Sequence, residues 1–130
     1  FVGRMNLLPA VAEAGNAVRV GEGRVDCATS GFAQGDALLV GVRPESVVLH
    51  PAQPVALPNL FRARVVETSF LGSMVLVRVF SPTLQCQIDV QWPLRHDAQL
   101  PDWLQGEVLV ELPAGALQAL EAPQNLRRLA

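Results

Sequence analysis

The chain has no lysine and no tyrosine: all 10 of its basic residues are arginine, and aromatic residues make up 5% of the sequence. Without lysine there is no phosphate-binding loop of the GxxxxGK[ST] form, whose Lys must reach the β- and γ-phosphates, so nucleotide hydrolysis through that motif is excluded. Few aromatics and a net charge of -2 argue against a nucleic-acid module, which combines a positive groove with stacking rings. Cysteine is equally scarce. Cys27 and Cys86 lie far apart in apolar alternating segments, with no CxxC spacing or clustered histidine, and read as two buried structural thiols. No run approaches the roughly 20 apolar residues of a membrane helix. No signal peptide is visible at the start of the chain either, so a soluble protein is expected. His50 and His96 each stand alone, without the spacing of a metal motif, and no G-x-S-x-G elbow is present; both read as surface histidines.

What is present is alternation. At 130 residues the chain can bury one core, or two small lobes sharing one. Ala17-Val18-Arg19-Val20 and Arg24-Val25-Asp26-Cys27 alternate around Gly21-Glu22-Gly23, which reads as a hairpin whose glycines permit positive φ. The apolar run 37–42 reads as a strand buried on both faces. The three-proline stretch 51–58 resists regular pairing and is expected to cross between lobes. Residues 61–70 and 74–80 read as two strands joined at Leu71-Gly72-Ser73, followed by strands over 84–90 and 107–112. A single short helix is predicted over 113–120, with Pro113 at its start. Trp92 and Trp103 flank an irregular stretch and are expected to cover a barrel end. Short strands at near-regular spacing predict an all-β fold of small OB-like barrels with that one C-terminal helix. No internal repeat is evident.

Three short motifs stand in order along this pattern. In Gly41-Val42-Arg43-Pro44-Glu45, the proline fixes its own φ and biases Arg43 toward an extended conformation, so the strand through Val42 must stop and turn. Glu45 falls where a following helical turn offers free backbone donors. One reading is a rigid corner with solvated charges. In Phe70-Leu71-Gly72-Ser73, Gly72 is expected at positive φ, with Phe70 and Leu71 on opposite faces and serving the core. The third motif is Asn6-Leu7-Leu8-Pro9-Ala10, close behind Phe1-Val2-Gly3.

Together these motifs resemble the C-terminal transport-associated OB-type (TOBE) domain of bacterial ABC-importer ATPases of the maltose, polyamine and iron(III) family. The resemblance gives Gly41 to Glu45 the family's G-[IV]-R-P-E element and makes Asn6 and Pro9 the link from a nucleotide-binding domain. It casts Asn6, Pro9, Gly41, Arg43, Pro44, Glu45, Phe70, Leu71, Gly72 and Ser73 as structural or interface residues. It implies one TOBE unit over 1–130, with interleaved lobes at about 6–50 and 59–130, and a nucleotide-binding domain upstream. It further implies no catalytic, cofactor or metal residues here, ATP and Mg being confined to that upstream domain. The expected partners are a second copy of the chain, the parent nucleotide-binding domain and the permease subunits, with neither nucleic acid nor direct membrane insertion. The expected place is the cytoplasmic face of the cell membrane, where the domain is regulatory and dimerising. The transported substrate stays open.

A second resemblance leads to the alternative, a small-ligand module of the oxyanion type. The stretch from Asn59 to Val65 partly resembles molybdate-binding modules, whose pattern is S-A-R-N-x-L-x-G-x-V. Here Ala56 and Pro58 occupy the positions of the Ser and Arg that serve oxyanion binding, and Ala63 that of the Gly. The departures argue against oxyanion binding, though the strand itself is retained. Mean hydropathy is positive, which is high for a small β domain; it follows either from surface covered by a partner or from a genomic bias toward Ala, Val and Leu.

Overall fold

The computed structural model describes residues 4–53, 56–93 and 99–123. The described residues form strands β1 (Asn6–Glu13), β2 (Ala17–Val20), β3 (Gly23–Asp26), β4 (Ala37–Val42) and β5 (Val48–Pro51), then β6 (Leu60–Leu71), β7 (Met74–Ser81), β8 (Cys86–Pro93), β9 (Glu107–Glu111) and β10 (Gln118–Glu121). Short 3-10 turns, Pro44–Ser46 and Ala114–Ala116, precede β5 and β10. Two five-stranded antiparallel sheets result, ordered β10-β4-β1-β2-β3 and β5-β9-β6-β7-β8. The fold is all-β and OB-like.

The two sheets are copies of one plan. Each half of the chain lays down four strands and a 3-10 turn, then sends its fifth strand into the other half's sheet, so β5 pairs with β9 and β10 with β4. Register makes the correspondence residue by residue. Leu7 lies opposite Gly41 as Leu60 lies opposite Glu111, and Ala10 opposite Leu38 as Ala63 opposite Val108. Ala17 lies opposite Asp26 as Arg78 lies opposite Asp89. Asn6 therefore matches Asn59, Pro9 matches Arg62, Val11 matches Arg64, and Asp26 matches Asp89. No repeat was expected from the sequence. The reason is physical: matched positions need only alternate apolar and polar, and few keep their identity.

The core lies between the sheets. Val18, Val25, Val40 and Val42 from one and Val75, Val77, Ile88 and Val110 from the other are fully buried, which supplies the main driving force for folding. Leu84, expected to open a strand, instead sits in the β7–β8 turn with its side chain in the core. Gly21, at φ +58, is forced by packing at this turn: a Cβ there would stand 2.5 Å from the carbonyl oxygen of Leu84.

Two expectations are corrected. The chain passes from one sheet to the other at the Pro44–Ser46 turn, ahead of the three-proline stretch that was expected to make the crossing. The helix predicted over 113–120 is only the Ala114–Ala116 turn followed by β10. Pairing of Gln118 to Glu121 with β4 outweighs the local helical propensity of Ala, Leu and Gln.

Candidate functional site

Arg43 is extended (φ -75, ψ 143), Pro44 is buried, and the amide of Ser46 donates to the carbonyl of Arg43 at 2.9 Å. Residues Pro44–Ser46 pack against β8. The matching corner at Pro113 has the same turn, the amide of Ala116 donating to the Pro113 carbonyl at 2.9 Å. That second corner carries neither Arg nor Glu, so the charges of Arg43 and Glu45, both exposed, are not required by the turn itself.

Asn6 and Asn59 close the seams where the sheets meet. Asn6 donates from Nδ2 to the carbonyl of Asp89 and accepts from its amide, both at 2.9 Å. Asn59 does the same to Asp26, at 2.9 and 2.8 Å, and also donates to the carbonyl of Leu112 at 2.9 Å. Each side-chain amide thus imitates one residue of a β-ladder at a place where backbone cannot reach backbone. Asn59 is buried and lies in the left-handed region at φ 56, which Asn tolerates better than most residues. Its role was not anticipated. The available signal was the Asn-Leu dipeptide present at both Asn6 and Asn59. Pro9 lies in β1 opposite Leu39, exposed.

Gly72 takes φ +68 in the turn between β6 and β7, as expected, with open space around it. Phe70 and Leu71, expected to serve the core, are exposed by 67% and 43%, and Ser73 is exposed too. The cause is strand length. β6 pairs with β9 only over Leu60 to Arg64, and then, past a bulge at Val65/Glu67, continues with β7 alone on that side. Among the described residues, 66–71 therefore have a strand partner on one edge only, β7, and Val66, Phe70 and Leu71 are exposed there.

On the outer face of the same strand lie Arg62 and Arg64. A surface depression of about 360 Å³ is lined by Arg62, Ala63, Arg64, Pro82, Thr83 and Glu107. Arg62 pairs with Glu107 at 3.2 Å, with both side chains largely exposed. The Arg64 guanidinium stands 5.2 Å over the ring centroid of Phe80 and has no carboxylate partner among the described residues. A second depression of about 310 Å³ adjoins this one and shares Arg62 and Glu107.

His50, read as a surface residue, is half-buried and makes a 2.8 Å contact from Nε2 to Glu111 Oε1, across β5 and β9. His96 lies outside the described residues. Among the described residues, no three His, Cys, Asp or Glu side chains gather to hold a metal ion, and no helix is long and apolar enough to cross a membrane. Trp92 and Trp103 meet edge to face, ring centroids 5.8 Å apart, packed on the core. Cys27 and Cys86 are free thiols, buried and half-buried; loss of hydration raises both, Cys86 to about 11.

The sequence model of the TOBE domain matches residues 40–120, well over half of the chain, and the chain belongs to that family. The matched span runs across both halves of the duplication, from β4 to β10. Among solved structures, the chain is similar to the cytoplasmic molybdate-binding protein ModG, in a crystal form with molybdate bound. The TM-score is 0.68 at 12% identity, over 90% of this chain and 96% of ModG. At that identity the likeness is one of fold. No curated protein matches the chain in sequence.

Proposed function

We propose that the chain is a non-catalytic TOBE module that binds a small oxyanion. The observation that carries this reading is the fold shared with a molybdate-binding protein over 90% of the chain, joined to membership of the TOBE family. Ala56 and Pro58, where the molybdate-binding pattern has Ser and Arg, are exposed and carry no side-chain donor. Side-chain ligands for the anion must therefore come from elsewhere on the scaffold. Calorimetric titration with molybdate, tungstate, sulfate and phosphate at low ionic strength tests the reading: saturable binding of at least one is expected, and no heat from any of them at millimolar concentration contradicts it.

A second reading, as regulatory and dimerisation domain of an ABC-importer ATPase, is favoured by the exposed arm at 66–71. In this reading ATP and Mg belong to the nucleotide-binding domain, and the partners are a second copy of the chain, that domain and the permease at the cytoplasmic membrane face. Asn6, Pro9, Gly41, Arg43, Pro44, Glu45 and Ser73 act as structural or interface residues. Both strands expected near a two-fold contact, 37–42 and 74–80, have both edges occupied, β4 by β1 and β10 and β7 by β6 and β8. In this reading the contact is therefore made by side chains of the arm that extends from β6 and not by pairing of either strand's edge. Phe70 and Leu71 then supply the apolar contact. Light scattering over a concentration series should give a dimer that Phe70→Asp dissociates; a strict monomer at hundreds of micromolar contradicts this second reading.

A further inference from the structure

We infer that the oxyanion site is the depression on the outer face of β6, with Arg64 and Arg62 as its ligands and Thr83 as a neutral donor; the inference rests on the oxyanion-binding reading above. The duplication provides the argument. β1 and β6 are built on the same register, and β1 carries Pro9 and Val11 where β6 carries Arg62 and Arg64. The strand therefore folds and pairs without arginine at either position, and the two guanidiniums are not a requirement of the scaffold. Residues two apart on a strand project from the same face, so both charges reach one depression.

The electrostatics of the two differ in a useful way. Among the described residues Arg64 is engaged by the Phe80 ring and by no carboxylate, which leaves its N–H donors for an anion. Arg62 is engaged by Glu107, but the side chains are 77% and 64% exposed, and a pair so solvated contributes little. An arriving dianion can therefore recruit Arg62 from it. Charge-assisted, bidentate bonds from guanidinium to oxyanion are the strong kind, and a tetrahedral oxyanion offers paired oxygens for them. Thr83 lies at the β7–β8 turn, which is fixed against the β2–β3 turn by a 2.9 Å bond from the amide of Glu22 to the Thr83 carbonyl. The second half alone has the arginine pair, so one site per chain is expected.

Calorimetric titration of molybdate into the chain, the double variant Arg62→Ala/Arg64→Ala and the single variant Glu107→Gln decides the matter, with circular dichroism confirming that each variant is folded. All three positions are exposed, so the variants should keep the fold. Expected are a stoichiometry of one, a loss of at least tenfold in affinity in the double variant, a gain of two- to fivefold in Glu107→Gln, and weakening with added salt. Unchanged affinity in a folded double variant overturns this site while leaving the oxyanion reading intact. Absence of binding by the unaltered chain overturns both.

Discussion

Asn59 and Asp26 form a side-chain imitation of a β-ladder, the amide of Asn59 donating to the Asp26 carbonyl at 2.9 Å and accepting from the Asp26 amide at 2.8 Å. Asn6 and Asp89, at the matching positions of the other half, repeat it. Two sheets that exchange their last strands are thus tied at both seams by one residue type in one register.

Replacing Asn59 tests the clasp. Asn59→Ala leaves the Asp26 amide and the carbonyls of Asp26 and Leu112 without partners and places a Cβ residue of poor tolerance at φ 56; a loss of about 3 to 4 kcal/mol is expected. Asn59→Gly loses the same bonds without the strain and should cost about 1 kcal/mol less. Asn6→Ala, at a half-buried site with two bonds, should cost roughly 1 to 2 kcal/mol. Urea unfolding at constant m-value measures all three, and equal stability of Asn59→Ala and the parent would refute the clasp.

Two glycines at similar positive φ separate strain from packing. At Gly21 a Cβ meets backbone at 2.5 Å, whereas at Gly72 it meets nothing. Gly72→Val should cost on the order of 1 to 3 kcal/mol through backbone strain alone. Gly21→Ala should cost more, roughly 3 to 5 kcal/mol, because the β7–β8 turn must also move. Melting curves that rank Gly72→Val below Gly21→Ala would contradict this assignment.

Stability should fall in alkali through Cys86. Its thiol is raised from the ordinary 9.0 to about 11 by loss of hydration. Between those values the unfolded chain has released its proton and the folded one has not, so the unfolded state is favoured as pH rises. The contribution is fully present below pH 9 and is lost through about pH 11; because the thiol is only half-buried, solvent reduces it to on the order of 1 kcal/mol. Cys86→Ala should flatten the profile across that window under reducing conditions, and an unchanged slope would rule Cys86 out as its source.

Strand exchange makes each half dependent on the other. Residues 4–53 alone lack the strand that covers one edge of β4, and residues 56–123 lack the one that covers β9. Each expressed singly should remain largely unfolded, while co-expression should restore a complex with the strand content of the whole chain by circular dichroism. A cooperative melt from either half alone would contradict the exchange.

Much of the fold was legible because local patterns and turn chemistry agreed. The Gly21-Glu22 turn, the Gly72 turn, and the extended Arg43 before Pro44 all follow from residue types with few conformational choices. The exchange of β5 and β10 was not legible, since nothing in a short apolar strand says which edge it will join. β10 was lost to its helix-forming composition, which pairing overrode. The site was harder still. Arg62 and Arg64 look like any exposed strand residues until register sets them beside Pro9 and Val11, and the exposure of Phe70 depends on β6 outrunning β9.

The most direct measurement is an anomalous difference map at the tungsten edge from crystals of the chain grown with tungstate, a scatterer strong enough to locate one anion without assumption. The account predicts a single peak per chain within hydrogen-bond reach of the Arg64 guanidinium, with Arg62 turned from Glu107 toward it. A peak at another place on the chain, or no peak at millimolar tungstate, would contradict it.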